Sequence, residues 1–133
     1  QAAIQASRLA ERFEFTGWVS PEKVLRRFAS CDILFMPSRR EGLPVTGLQA
    51  LAMGLAIVAS RVGGFTELVD EGRNGCLAEP GDLTGFTQAL RELLSDPALL
   101  RRFRDASLIK ARAFDLEAVA QAYHQVVQSV LSR

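Results

Sequence analysis

Cys31-Asp32-Ile33-Leu34-Phe35-Met36-Pro37-Ser38-Arg39-Arg40-Glu41-Gly42-Leu43-Pro44-Val45-Thr46 runs from an unbroken apolar stretch, through a polar loop marked by glycine and proline, into residues with helical spacing. Residues 33–36 show no polar alternation, as expected of a strand buried on both faces of a parallel sheet. Residues 56–59 have the same character, and residues 13–16 and 76–78 are two further β-like runs. Helical patterns separate the four, so the chain is expected to run β-α-β-α-β-α-β with more helices behind: an α/β, doubly wound, Rossmann-like parallel sheet.

End chemistry marks the helices. Ser20 before Pro21 supplies a cap and a first-turn proline for a helix of about ten residues, with Val24, Leu25, Phe28 and Ala29 on one face. Pro44 is expected in the first turn of the next helix, whose stripe is Val45, Leu48, Leu51 and Ala52 and whose stop is Gly54. Asp82 caps a helix with Leu83, Phe86, Leu90 and Leu93 inward, and Asp96-Pro97 opens another with Leu99, Leu100 and Phe103. The last helix, residues 116–131, repeats Leu116, Val119, Ala120, Tyr123, Val127 and Val130, an apolar face that must cover something.

The chain has 133 residues, 48% apolar and 23% charged, with a net charge of +1. That fits one globular domain and argues against a broad phosphate-backbone surface, so no nucleic-acid partner is expected. Cys31 and Cys76 have no metal-ligand spacing and are expected to be buried small hydrophobes. A reducing, cytoplasmic setting follows. No apolar run approaches the ~20 residues of a membrane span. The start Gln1-Ala2-Ala3 lacks an initiator Met and a signal-peptide layout, as expected of a cut inside a longer chain.

In an open α/β sheet, ligands bind outside the carboxyl ends of the strands, which puts loop 37–44 on the ligand side. A helix N-terminus there favours phosphate, and Gly42 lets backbone approach closely. Pro44 removes one donor, leaving the N–H groups of Leu43, Val45 and Thr46 and the Thr46 hydroxyl. The alternative is a capped connecting loop with Glu41 solvated or balancing the helix dipole, since such loops are generic to the fold.

Six segments carry a more specific resemblance: Phe15-Thr16-Gly17-Trp18-Val19-Ser20, residues 31–38, Glu41-Gly42-Leu43-Pro44, Ala50-Leu51-Ala52-Met53-Gly54, Gly63-Gly64-Phe65-Thr66-Glu67 and Gly72-Arg73-Asn74-Gly75. Their order and spacing resemble glycosyltransferase family 4, the "group 1" retaining transferases, over nearly the whole chain. The resemblance implies a GT-B fold of two facing Rossmann-like domains, with this chain an incomplete C-terminal domain, residues 1–133, that holds a nucleotide-diphosphate sugar. It also implies retaining transfer of a hexosyl group to a saccharide or lipid-linked acceptor, in polysaccharide biosynthesis. The donor is a substrate, no cofactor is implied, and no metal is expected.

By the same resemblance Glu41 is the first acid of a pair separated by seven residues, placed against the donor sugar hydroxyls. The second acid falls at position 49, where this chain has Gln49. An amide carbonyl can accept one ribose hydrogen bond but loses charge assistance, an expected cost of roughly 1–2 kcal/mol. The backbone from Gly42 and Leu43 through Val45 and Thr46 is placed against the diphosphate or sugar. Trp18 and Val19 match the nucleobase position, with half-burial in packing an equal alternative for Trp18. Ala56 replaces a frequent proline without expected consequence. Gly63, Gly64 and Glu67 read either as a turn and helix start or as donor-facing.

His124, far from every motif, is expected at the surface. The Arg pairs at 26–27, 39–40 and 101–102 read as solvated faces, with only Arg39 and Arg40 near enough to Glu41 to help a phosphate. The family's phosphate-binding Arg and Lys, two strands of this domain and the N-terminal domain have no counterpart here, so the chain by itself is expected to be inactive. Membrane contact is expected only through the parent enzyme, peripherally at the inner face. Unpaired sheet edges predict a homodimer, a rearranged first strand or pairing with another chain. A degenerate, non-catalytic assembly module is the competing reading. A nicotinamide-binding domain is not supported, because no G-x-G-x-x-G follows a strand.

Overall fold

A computed structural model describes residues 2–5 and 7–131. Its centre is strand β2, Ala56–Ser60, in which every residue is buried. β1, Ile33–Met36, and β3, Gly75–Ala78, pair with it in parallel on either side, giving the order β1-β2-β3. Alternation along β2 divides the core. Ile57 and Ala59 face one apolar cluster with Leu34, Leu51, Phe65 and Leu68, while Ala56 and Val58 face another with Phe86, Leu93 and Phe103. Residues 56–59 of the central strand are therefore apolar on both faces, as their unbroken run foretold, whereas Ser60 is polar and buried, and the edge strand β1, expected to be buried on both faces, leaves Phe35 exposed.

Helices α3, Val45–Ala52, and α4, Phe65–Leu68, feed the first cluster, and α5, Leu83–Ser95, with α6, Pro97–Ala111, covers the second. The end chemistry acts as expected at α5 and α6: the Asp82 carboxylate accepts from the Gly85 N–H, and Asp96 from those of Ala98 and Leu99. α6 also clasps the turn between α3 and β2. Arg104 Nε donates to the Gly54 carbonyl at 2.9 Å and Ser107 Oγ to that of Leu55 at 2.6 Å. Gly54, at φ +70°, ends α3 as anticipated.

The stretch 13–16 does not form the expected first strand. Phe13 and Phe15 stand about half exposed, and the one backbone hydrogen bond described for these residues is from Phe13 N–H to Ala10 O, closing a 3-10 turn. A β-prone sequence without a neighbouring ladder gains neither hydrogen bonds nor burial. α1, Ala2–Gln5, precedes it, and α2, Pro21–Phe28, follows it with no buried residue. The terminal helix α7, Leu116–Leu131, has the expected bounds, but its Leu116, Tyr123, Val127 and Val130 are exposed. No helix among the described residues is long and apolar enough to cross a membrane.

Candidate functional site

The loops leaving the carboxyl ends of β1 and β2 meet at one edge of the sheet. In the first, Ser38 Oγ donates to Glu41 Oε1 at 2.7 Å, and both side chains are half-buried. In the second, the Gly64 N–H donates to the Gly42 carbonyl at 2.7 Å. The approach is close enough that a Cβ on Gly63 would lie 1.7 Å from the Glu41 carbonyl oxygen, and one on Gly64 would lie 2.7 Å from both Gly42 O and Leu43 Cα.

Pro44 sits one position earlier than expected. With φ −76° and ψ 114° it is the residue before α3, not its first helical one, and its carbonyl accepts from the Gly47 and Leu48 N–H groups. The restriction proline places on its own φ suits this junction. Val45 and Thr46 begin the helix, where N–H groups have no intrahelical acceptor and the dipole is positive. No acidic side chain occupies that first turn. Gly42, Leu43 and Val45 are exposed, so loop and helix start are open to solvent. Thr46 and Gln49, three apart and therefore neighbours on one helix face, are half-buried.

The structure thus brings Glu41, Gly42, Leu43, Val45, Thr46 and Gln49 to one loop and helix start. It does not join Trp18 and Val19 to them: among the described residues no hydrogen bond, ion pair or ring contact links residues 15–19 to loop 37–46. Trp18 is 91% exposed, so the packing alternative for it is set aside. Arg39, Arg40 and His124 are exposed as expected. Cys31 is exposed, correcting the expected burial: it lies in the short turn between α2 and β1, outside both clusters. Cys76 is half-buried, and burial pushes its thiol above the ordinary range.

Two features escaped sequence reasoning. The Gly63-Gly64 turn was legible as a turn but not as a surface against Glu41. Arg61, just past β2, pairs with Glu71 at 2.7 Å and with Glu79 at 3.3 Å, links that no sequence spacing signals. The Arg61 guanidinium holds the Glu71 carboxyl below its ordinary range. Among the described residues, no three His, Cys, Asp or Glu side chains come together in a way that could hold a metal ion.

The family described as glycosyl transferases group 1 matches residues 1–96. The lipopolysaccharide core biosynthesis mannosyltransferase LpcC of Rhizobium leguminosarum bv. viciae is 34% identical over 98% of this chain and 37% of its own length. Sucrose-phosphate synthase from Thermosynechococcus elongatus shares the fold with a TM-score of 0.85 and 26% identity, over 98% of this chain and 33% of that one. Anabaena HepE, solved in complex with UDP-glucose, superposes with a TM-score of 0.82 at 24% identity, over 96% of this chain and 35% of that one. The chain therefore spans 33–37% of the length of these three proteins, and its three-stranded parallel sheet matches a GT-B domain.

Proposed function

The chain belongs to the glycosyl transferases of group 1, and on that premise we propose that it is the donor-holding part of a family 4 retaining hexosyltransferase acting on a saccharide or lipid-linked acceptor. One observation carries this reading. A carboxylate pinned by Ser38 stands beside an open helix start at the carboxyl edge of a parallel sheet, where this architecture places its ligands.

Glu41 accepts from the donor sugar hydroxyls. The backbone from Gly42 and Leu43 to Val45 and Thr46 donates to the diphosphate, which the positive end of α3 favours. Gln49 accepts one ribose hydrogen bond, and Trp18 with Val19 lies toward the base. The UDP-glucose held by HepE supports a nucleotide-diphosphate sugar as the ligand class. The donor is a substrate, and no metal enters the scheme.

Residues 1–133 form one partial domain in this proposal. The cations that neutralise the leaving diphosphate and the acceptor side of the cleft come from outside the chain, which spans 37% of its mannosyltransferase relative. Charge stabilisation requires those groups to be preorganised around the reacting bond, so the chain alone binds without turning over. The free edge of β1 pairs with strands supplied from outside the described residues or from a second copy. The enzyme works in the cytoplasm, and any contact with the inner membrane face is made by the rest of it.

Calorimetry of UDP against UDP-glucose, and of GDP against GDP-mannose, tests the role of Glu41. The sugar is expected to strengthen binding in the parent chain. Glu41→Gln is expected to erase that gain, about tenfold for a charge-assisted hydrogen bond, and to leave the bare nucleotide unaffected. A gain that survives the substitution contradicts the proposal.

A further inference from the structure

We infer that the Gly63-Gly64 turn is a positioning element for Glu41: it fixes the backbone of the acid from across the sheet edge, while Ser38 fixes its side chain. The inference rests on the proposed role of Glu41 toward the donor sugar.

Glu41 lies in an irregular loop between two exposed arginines and two exposed residues, Gly42 and Leu43. Among the described residues, the hydrogen bond that its side chain makes within its own segment is the one from the Ser38 hydroxyl. The restraint comes from the second loop. Gly64 has φ −65° and ψ −11°, a conformation open to any residue, so its backbone makes no demand for glycine. Space makes the demand: a Cβ there would meet backbone on two sides, Gly42 O and Leu43 Cα, and backbone cannot swing away as a side chain tip can. Gly63 adds a positive φ of +47° to the still closer approach to Glu41 O. A Cβ on Gly42, by contrast, would meet nothing within 4 Å. The tightness therefore belongs to the Gly63-Gly64 side of the contact.

The turn is itself anchored. Gly64 leads directly into α4, whose Phe65 and Leu68 are fully buried, and α4 packs so closely on α3 that a Cβ on Gly47 would lie 2.6 Å from a Leu68 methyl. A continuous chain of contacts thus runs from the core through α4, Gly64 and Gly42 to Glu41. Holding a ligand-facing acid on a loop to sub-ångström tolerance requires this kind of support from rigid elements.

Gly64→Ala tests the inference, with Gly72→Ala as a control that introduces strain at φ +75° where a Cβ has open space. In 15N-edited NMR spectra Gly64→Ala is expected to move the amides of residues 41–43, and Gly72→Ala is not. In calorimetry the gain in affinity from UDP to UDP-glucose, or from GDP to GDP-mannose, each variant being compared with its own bare nucleotide, is expected to fall at least about fivefold in Gly64→Ala and in Ser38→Ala. If Gly64→Ala leaves both the amides and the sugar gain unmoved, the turn does not position the acid. Amide exchange in the parent chain gives a readout that needs no variant: slow exchange at Gly64 is expected from its bond to Gly42 O, and exchange as fast as at Gly42 overturns the clamp. Failure of the donor reading looks different. There Glu41→Gln leaves the sugar gain intact while Gly64→Ala still displaces the amides.

Discussion

Gln49 occupies a half-buried face of α3, three residues from Thr46. If the ribose lies there as proposed, a carboxylate would accept from both of its hydroxyls with charge assistance, whereas the amide spends half its polar surface on donors. Gln49→Glu is therefore expected to tighten nucleotide diphosphate binding by about 5- to 30-fold, the equivalent of 1–2 kcal/mol. Unchanged affinity in a calorimetric titration would place the ribose elsewhere, and a large gain from near-zero binding would favour the degenerate module. Asn74 has a different task. Fully buried, it accepts from the Asp70 N–H and donates to the Leu68 carbonyl. Asn74→Ala strands both partners and should cost about 2–3 kcal/mol in urea unfolding; a loss below about 0.5 kcal/mol would show that those groups rehydrate freely. The Arg61–Glu71 pair is half exposed, so its worth is under about 1 kcal/mol. Arg61 depresses the Glu71 carboxyl, so this stability is present above the ordinary glutamate value of 4.5 and is lost as pH falls through the lower folded-state value. Stability curves of the parent and Glu71→Gln should separate at neutral pH and converge in acid.

Helix ends were the most legible elements. Asp82, Asp96-Pro97 and Gly54 all rest on interactions within a turn or two of chain, which sequence displays directly. Asp96 accepts two backbone N–H groups and Asp82 one. Asp96→Ala is expected to cost about 1–2 kcal/mol and Asp82→Ala about 1 kcal/mol, measured by thermal or urea unfolding. Equal and negligible losses would mean that water caps both helices. Strands were less legible, because a strand exists through its neighbours. Residues 33–36 and 56–60 find each other, while residues 13–16, also β-prone, have no strand partner among the described residues and stay irregular. The candidate site divides in the same way. Gly42 and, to within one residue, the start of α3 follow from a local strand–loop–helix junction, whereas the role of Glu41 was implied only by the family resemblance. The bond from Gly64 to Gly42 joins residues 22 apart through the sheet edge, and no local pattern announces it.

The described residues form a three-stranded sheet with apolar surface left over. Among them β1 pairs on one side only, and the apolar stripe of α7 meets solvent. Both are surfaces that a longer chain or a second copy would cover. Light scattering over a dilution series of the 133-residue chain is expected to show mass above the monomer at high concentration, and a monomer at every concentration would contradict self-pairing. The central claim, that this edge of the sheet is half of a nucleotide-sugar site, is tested most directly by titrating the 15N-labelled chain with UDP, GDP and ADP and with UDP-glucose, GDP-mannose and ADP-glucose. Shifts concentrated at the amides of residues 43–49 and the Trp18 indole, larger for one base and extended to Glu41 by the sugar, are the predicted result. A folded chain whose spectrum moves with none of these nucleotides, or moves elsewhere, would contradict it.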